Sequence, residues 1–186
     1  MPMAKTPIIS GRTSDKAVTS AYATRWCSTH QPNAQRPGII SDDLRQQFGK
    51  LGFPLLTGGP VERGLVEVYP HPALVELANA TKRLEYKANK ARKYWPDKTP
   101  LERRIMLFAV WRKIAALLEA KIAGVERALL NITPQLSGVE LKAYEDTLDA
   151  IVCGWIATCV LTGEATPYGD HDSAIWIPSA TAAAAK

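Results

Sequence analysis

Apolar positions recur with a helical period over two long stretches of the chain. From about Pro100 to Ile122, Leu107, Trp111, Ile114 and Leu118 step by four, three and four, flanked by Val110 and Leu117. A stripe that wide predicts a long helix laid against a core. A second long helix is predicted from Ser137 to about Leu161. It opens on a capping-box pattern, with Ser137 as N-cap and Glu140 three residues later. Between Leu65 and Tyr69 the period changes to two and valines take alternate places, which predicts a short strand. Pro70 ends it, and Pro72 suits the first turn of a following helix, where a missing N–H costs nothing. The segment "SAIWIP", 173–178, predicts another strand.

The first sixty residues are broken by "MPMAKTP", "HQPNAQRPG" and "GFPLLTGGP". Two helices fit between these punctuators. One is "TSDKAVTSAYATR", with Thr13 or Ser14 as cap. The other is "SDDLRQQFGKLG", with Ser41 as N-cap and a stop near Gly52. Residues 82–98 read as a basic, aromatic-bearing connection, and 179–186 as an alanine-rich tail expected to fray. No internal repeat is visible. The expectation is one helix-rich α/β domain over 1–186, with few strands and two long helices.

Composition narrows the classes. The 186 residues carry a net charge of +5, which suits a polyanionic partner and says nothing about fold. Three cysteines, Cys27, Cys153 and Cys159, with no CxxC, argue against a disulfide framework and for a reducing compartment. The amino terminus lacks the long apolar run of a signal peptide. The longest apolar run, "AIVCGWIATCVL", is well short of the ~20 residues of a membrane helix. The expectation is a cytoplasmic protein without a membrane span. No P-loop, GxSxG or Rossmann fingerprint occurs.

The chemistry is concentrated in "ELKAYEDTLDAIVCGWIATCV", 140–160, where Glu145, Asp146 and Asp149 run into an apolar helix. Asp146 and Asp149 lie in about the third turn, ~3.6 residues each. They are therefore past the reach of the helix dipole, which fades within the first turn. Asp146, Asp149, Cys153, Ile156 and Val160 share one stripe, so the aspartates mark the polar end of a stripe that becomes apolar. Two carboxylates held close repel unless a proton or cation lies between them. Hard oxygen ligands suit Mg²⁺ or Mn²⁺. Glu67 is the second candidate, because a glutamate inside a short apolar strand is costly to bury unpaired. It could equally face water on an edge strand.

Cations gather in "RLEYKANKARKYWPDK": Arg83, Lys87, Lys90, Arg92, Lys93 and Lys98, interleaved with Tyr86, Tyr94 and Trp95. Cations steer to phosphates and aromatic rings stack on bases. A solvated basic helix with its aromatics turned inward would read the same way. "CSTH" sets Cys27 and His30 three apart, with no second half-site for zinc; a polar loop packed on "EVYPH" accounts for both. His71 is placed to shape the turn before its helix. Asp170 and Asp172 in "GDHDS" read as turn formers around His171.

Several blocks resemble an uncharacterised family of predicted RNase-H-like nucleases, a domain of unknown function. They are "GRTSDKAVTSAY", "CSTHQPNAQRPGIIS", "VEVYPHPALVEL", "RLEYK", "LKAYEDTLDAIVCGWIA" and "YGDHDSAIWIP". The resemblance implies that the "EDTLDA" helix is the last helix of the RNase-H-like fold, which in Holliday-junction resolvases carries D-x-x-D or H-x-x-D. Asp149 then matches a metal ligand, Asp146 the residue three earlier, and Glu67 a carboxylate at the end of a sheet strand. The implied activity is phosphodiester hydrolysis with two metal ions, by a magnesium- or manganese-dependent nuclease.

The family pattern begins with a β-meander bearing an aspartate and a D-x-P motif, neither of which is in this polypeptide. The expectation is an incomplete RNase-H-like domain that is weakly active or inactive alone. Its exposed sheet edge would invite pairing with another copy. The competing expectation is a non-catalytic binding or interaction protein that keeps the fold. Either way, Glu67 and Asp149 should converge if the 65–69 strand lies beside the amino-terminal half of the last helix.

Overall fold

The periodic stretches fold as their spacing requires. The computed structural model describes residues 3–5, 11–31, 39–129 and 131–179. In chain order these form α1 (Thr13–Tyr22), α2 (Ile39–Lys50), β1 (Glu67–Val68), α3 (Pro70–Leu77), α4 (Ala91–Tyr94) and α5 (Pro100–Glu119). There follow α6 (Val125–Ala128), α7 (Gly138–Leu161), β2 (Ala165–Gly169) and β3 (Ala174–Pro178). The fold is α/β and helix-rich, with a small mixed sheet. Among the described residues no helix is long and apolar enough to cross a membrane. The alanine-rich tail from residue 180 lies outside the described residues.

Both long helices start at reciprocal caps. Ser137 Oγ accepts the Glu140 N–H at 3.3 Å, and the Glu140 carboxylate accepts the Ser137 N–H at 2.7 Å. Thr99 and Glu102 make the same box ahead of α5. Each box satisfies two N–H groups that the helix cannot. Other boundaries differ from the sequence expectation. Ser41 does not cap α2: the helix already runs from Ile39, so Ser41 lies inside it, buried. Arg12, not Thr13 or Ser14, holds the N-cap position of α1. The predicted 65–69 strand shrinks to two residues, and Leu65 makes only an isolated parallel bridge to Leu55.

The sheet order is β1-β3-β2. β3 is parallel to β1, with Glu67 beside Ile175 and Val68 beside Trp176, and antiparallel to β2. Every residue of β3 is buried. Alternate side chains go to opposite faces. Trp176 enters the large cluster built by α3, α5 and α7, whereas Ile175 and Ile177 join Val18, Tyr22, Cys27 and Val75. Helices thus cover both faces, α1 on one and α7 on the other, which is why "AIWI" is apolar without alternation. Sequence reading missed β2 because Pro167 interrupts it; on an edge strand a proline is tolerated. Gly169 ends β2 at φ 151°, and a Cβ there would meet the Ser173 carbonyl oxygen at 2.0 Å. The Asp170 carboxylate accepts the N–H groups of Asp172 and Ser173, so it forms the expected turn.

The larger core centres on Trp111 of α5. Its ring stacks on Tyr144 of α7, centroids 4.7 Å apart, and its indole N–H donates to the Tyr86 carbonyl at 2.7 Å. Leu107, Ile114, Leu118, Leu148, Val152 and Ile156 close around it. Truncating Trp111 to alanine leaves a cavity and an unpaired carbonyl. Equilibrium denaturation of Trp111→Ala should show a loss of about 3–5 kcal/mol.

Candidate functional site

The third turn of α7 brings Glu145, Asp146 and Asp149 together, with one oxygen of each within 4.8 Å of the others. Among the described residues this is the one group of three His, Cys, Asp or Glu side chains so disposed. Their environments differ. The Asp146 side chain is 60% exposed, Asp149 23% and Glu145 3%. Asp146, Asp149, Cys153 and Ile156 do pass from exposed to buried along one stripe. The innermost carboxylate is Glu145, which lies off the stripe of Asp146 and Asp149 that the sequence singles out. The signal was present: Glu145 lies four after Leu141 and three before Leu148, both buried.

Each carboxylate has defined partners. Glu145 Oε2 accepts the Ala88 N–H at 2.7 Å. Glu145 Oε1 lies 3.2 Å from the Lys142 ammonium and 3.3 Å from that of Lys87. Asp149 Oδ1 accepts the Tyr86 hydroxyl at 2.7 Å, and its Oδ2 pairs with Lys87. Asp146 pairs with Lys142. Three carboxylates thus face two ammonium groups, leaving one negative charge in excess. The Lys87 ammonium marks a cation position between Glu145 and Asp149.

The donor set is one that could hold a single small divalent ion. Oxygens bound at 2.0–2.1 Å to one Mg²⁺ lie at most ~4.2 Å apart, so 4.8 Å closes by a small side-chain rotation. Tyr86 is fully buried, and burial with the adjacent Asp149 pushes its phenol well above the ordinary value, so it stays a donor. His71 of α3 lies between the rings of Tyr69 and Tyr86, at 5.5 and 5.2 Å. It is buried, and its Nδ1 has no hydrogen-bond partner.

Glu67 does not join this group. Its register with Ile175 sends its side chain to the α1 face, whereas Val68 packs with Trp176 toward α7. There Arg12 takes it. The Arg12 guanidinium donates to Glu67 Oε2 at 2.5 Å, Glu67 Oε1 at 2.8 Å, both Asp15 oxygens and the Met3 carbonyl. That uses all five N–H groups of an arginine. The Met3 N–H also donates to Glu67 Oε2, at 2.8 Å. Burial pushes the Glu67 carboxyl above its usual range, against the opposing pull of Arg12. Burial also works against the Arg12 charge, but Glu67 and Asp15 outweigh it and hold the guanidinium above its ordinary value. The network borders a cleft of about 200 Å³ also lined by Thr29, His30 and Tyr69. The expected convergence of Glu67 with Asp149 is therefore not what the fold builds, because successive residues of a strand face opposite sides.

The basic segment divides by burial. Lys90, Arg92 and Lys93 are exposed, whereas Arg83 and Lys87 are half-buried, with Lys87 turned to the carboxylates. Trp95 packs on the large core. Cys27 is buried in the smaller core, and burial lifts its thiol to about 11. His30 is exposed at the cleft rim.

A family model described as "Protein of unknown function (DUF429)" matches residues 43–173. The three α7 carboxylates, Glu67 and the basic segment fall inside that range; Arg12 and Asp15 fall outside it. No curated protein and no solved structure matches the chain.

Burial, with Arg83 and Lys87 nearby, lowers the His71 imidazole to about 3. A histidine depressed from its usual ~6.5 binds its proton more readily when unfolded. Its contribution to stability is complete above about pH 6.5 and is lost as pH falls toward 3, at up to about 1.4 kcal/mol per pH unit. Denaturant melts across pH should therefore show a shallower acid limb for His71→Phe than for wild type between pH 6.5 and 3.

Proposed function

Because the chain belongs to the DUF429 family, whose description carries no function, membership brings no activity with it, and we propose a metal-dependent nuclease of the RNase-H-like class that hydrolyses phosphodiester bonds. The observation that carries this reading is the cation position on α7, where Glu145 and Asp149 converge on one ammonium beside a basic segment. Glu145 and Asp149 would hold Mg²⁺ or Mn²⁺, with Asp146 at the rim. The bound ion supplies Lewis-acid polarisation of a phosphoryl oxygen and a water of lowered pKa.

The chain's own groups do the positioning. The Tyr86 hydroxyl fixes Asp149 and the Ala88 N–H fixes Glu145, the kind of outer support that orients metal ligands. Lys87, displaced from the carboxylates, becomes a cation for the phosphate. Lys90, Arg92 and Lys93 stand exposed to draw in the polyanion.

One observation favours a second reading, a nucleic-acid-binding module without catalysis. Arg12 spends its donors on Glu67 and Asp15, so Glu67 is not free to hold a second ion, and the α7 group fits one. A two-ion reaction needs ligands for both at roughly 3.5–4 Å separation. In either reading β1 forms a sheet edge among the described residues, along which a second copy of the chain could pair.

Thermal melts with and without Mn²⁺, run on wild type and Asp149→Asn, test the site. At about 100 times Kd the wild type should gain roughly 5–10 °C, and the variant should not. EDTA-sensitive cleavage of an oligonucleotide, lost in Asp149→Asn, supports the nuclease. Oligonucleotide binding without cleavage at any Mn²⁺ concentration supports the module, and equal Mn²⁺ responses in both proteins remove Asp149 as a ligand.

A further inference from the structure

Beyond α1 the chain continues as a short 3₁₀ turn, Ala23–Arg25, and then Trp26 adopts φ 62°, ψ 30°. That left-handed region disfavours any side chain, and the position after a helix is usually given to glycine. The conformation is imposed from both sides. The Arg25 guanidinium is held by the Glu76 carboxylate at 2.5 Å and the Ala80 carbonyl at 2.8 Å. Cys27 on the other side is fully buried in the smaller core. Between them Trp26 faces outward and is 63% exposed. A glycine would make this turn without strain. The largest apolar side chain stands there instead, and it contributes to neither core cluster.

The surroundings of the ring are cationic. The Lys82 ammonium lies 4.8 Å from its centroid. Among the described residues Lys82 is otherwise held by a loose, exposed pair with Glu85 at 3.8 Å. The Arg83 N–H donates to the Arg25 carbonyl at 2.9 Å and ties the two segments together. The Arg83 Nε is buried with no hydrogen-bond partner. From Lys82 the irregular segment runs directly to Tyr86 and Lys87 on Asp149. Five residues span at most ~18 Å, so the ring and the carboxylates stand at the two ends of one short basic strip.

We propose that Trp26, with Lys82, is a stacking platform for an unpaired base of single-stranded nucleic acid. The Lys82 ammonium lies over the ring, so it swings aside to a flanking phosphate as the indole takes the face of a base. A duplex keeps its bases stacked on one another and offers no free face. This inference rests on the nucleic-acid reading of the basic segment, but not on metal binding.

The test is fluorescence anisotropy of a labelled oligo-dT, in EDTA so that no cleavage occurs, with wild type, Trp26→Ala and Trp26→Phe. Trp26→Ala should weaken binding roughly 5- to 150-fold, the range for loss of one stacked base. Trp26→Phe should recover most of it, and duplex of the same length should bind all three alike. Thermal melts of Trp26→Gly should be no lower than wild type, because glycine relieves the left-handed turn; a marked drop would mean that the indole serves the fold instead. Equal oligo-dT binding by wild type and Trp26→Ala would overturn the platform, as would equal losses on single strand and duplex. No oligo-dT binding by wild type would overturn it too and assign the ring to an apolar partner. A missing Mn²⁺ response leaves the binding difference intact, so the platform and the nuclease fail separately.

Discussion

An irregular segment threaded between helices must find partners for its buried polar groups, and the arrangement around residues 86–88 follows from that requirement. Tyr86 is fully buried and belongs to no helix or strand. Its carbonyl takes the Trp111 indole N–H from α5, its hydroxyl donates to Asp149 on α7, and the next N–H but one, of Ala88, donates to Glu145. Three elements are thereby held in one register by polar contacts inside a largely apolar cluster. Breaking one leaves a buried group unsatisfied, which costs more than the bond contributes when made.

The same contacts decide the electrostatics. Carboxylates that serve as acceptors for a buried segment are fixed near each other, and their mutual repulsion has to be offset by cations. Lys87 and Lys142 do this on α7, and Arg12 does it for Glu67 and Asp15 on the other face of the sheet. The two networks are built differently. Arg12 is saturated and buried, a closed arrangement that is costly to open because one partner's removal strands the others' charge. The α7 group is open to solvent through Asp146 and held by lysines, which are flexible point charges. An incoming cation can compete with a lysine far more easily than with a forked, buried arginine.

The sheet explains why chemistry divides this way. β3 is buried on both faces and carries Trp176 to one core and Ile175 and Ile177 to the other. β1 follows its register, so Glu67 goes with Ile175 and Val68 with Trp176. A one-residue slip would reverse both, putting a carboxylate into the large core and a valine beside Arg12. The ion pair and the apolar packing therefore enforce the same register.

Local rules were enough for what local energetics govern. Ser137 and Glu140 marked the start of α7, Pro70 and Pro72 the start of α3, and the apolar stripe of α5 its buried face; each depends on residues within a turn or two. Glu67 was legible as a carboxylate needing a partner, and Asp146 and Asp149 as the polar end of a stripe. The distant partners were not legible. Arg12 is fifty-five positions from Glu67 and Tyr86 sixty-three from Asp149, so only chain topology brings them together. Glu145 sits at a core position that its spacing shows, but a charge there is tolerated only because a distant N–H and lysine meet it, and those were not legible. β2 was hidden because Pro167 reads as a break until β3 is seen to offer an edge. Sequence by itself determined the starts of α3, α5 and α7, the alternation of the short strand and the charge that each stripe carries, because those follow from backbone sterics and spacing. Tertiary structure alone decided which distant cation joins which carboxylate, Arg12 to Glu67 and Lys87 to Glu145 and Asp149, because strand register and the packing of α1 and α7 on opposite sheet faces set that geometry.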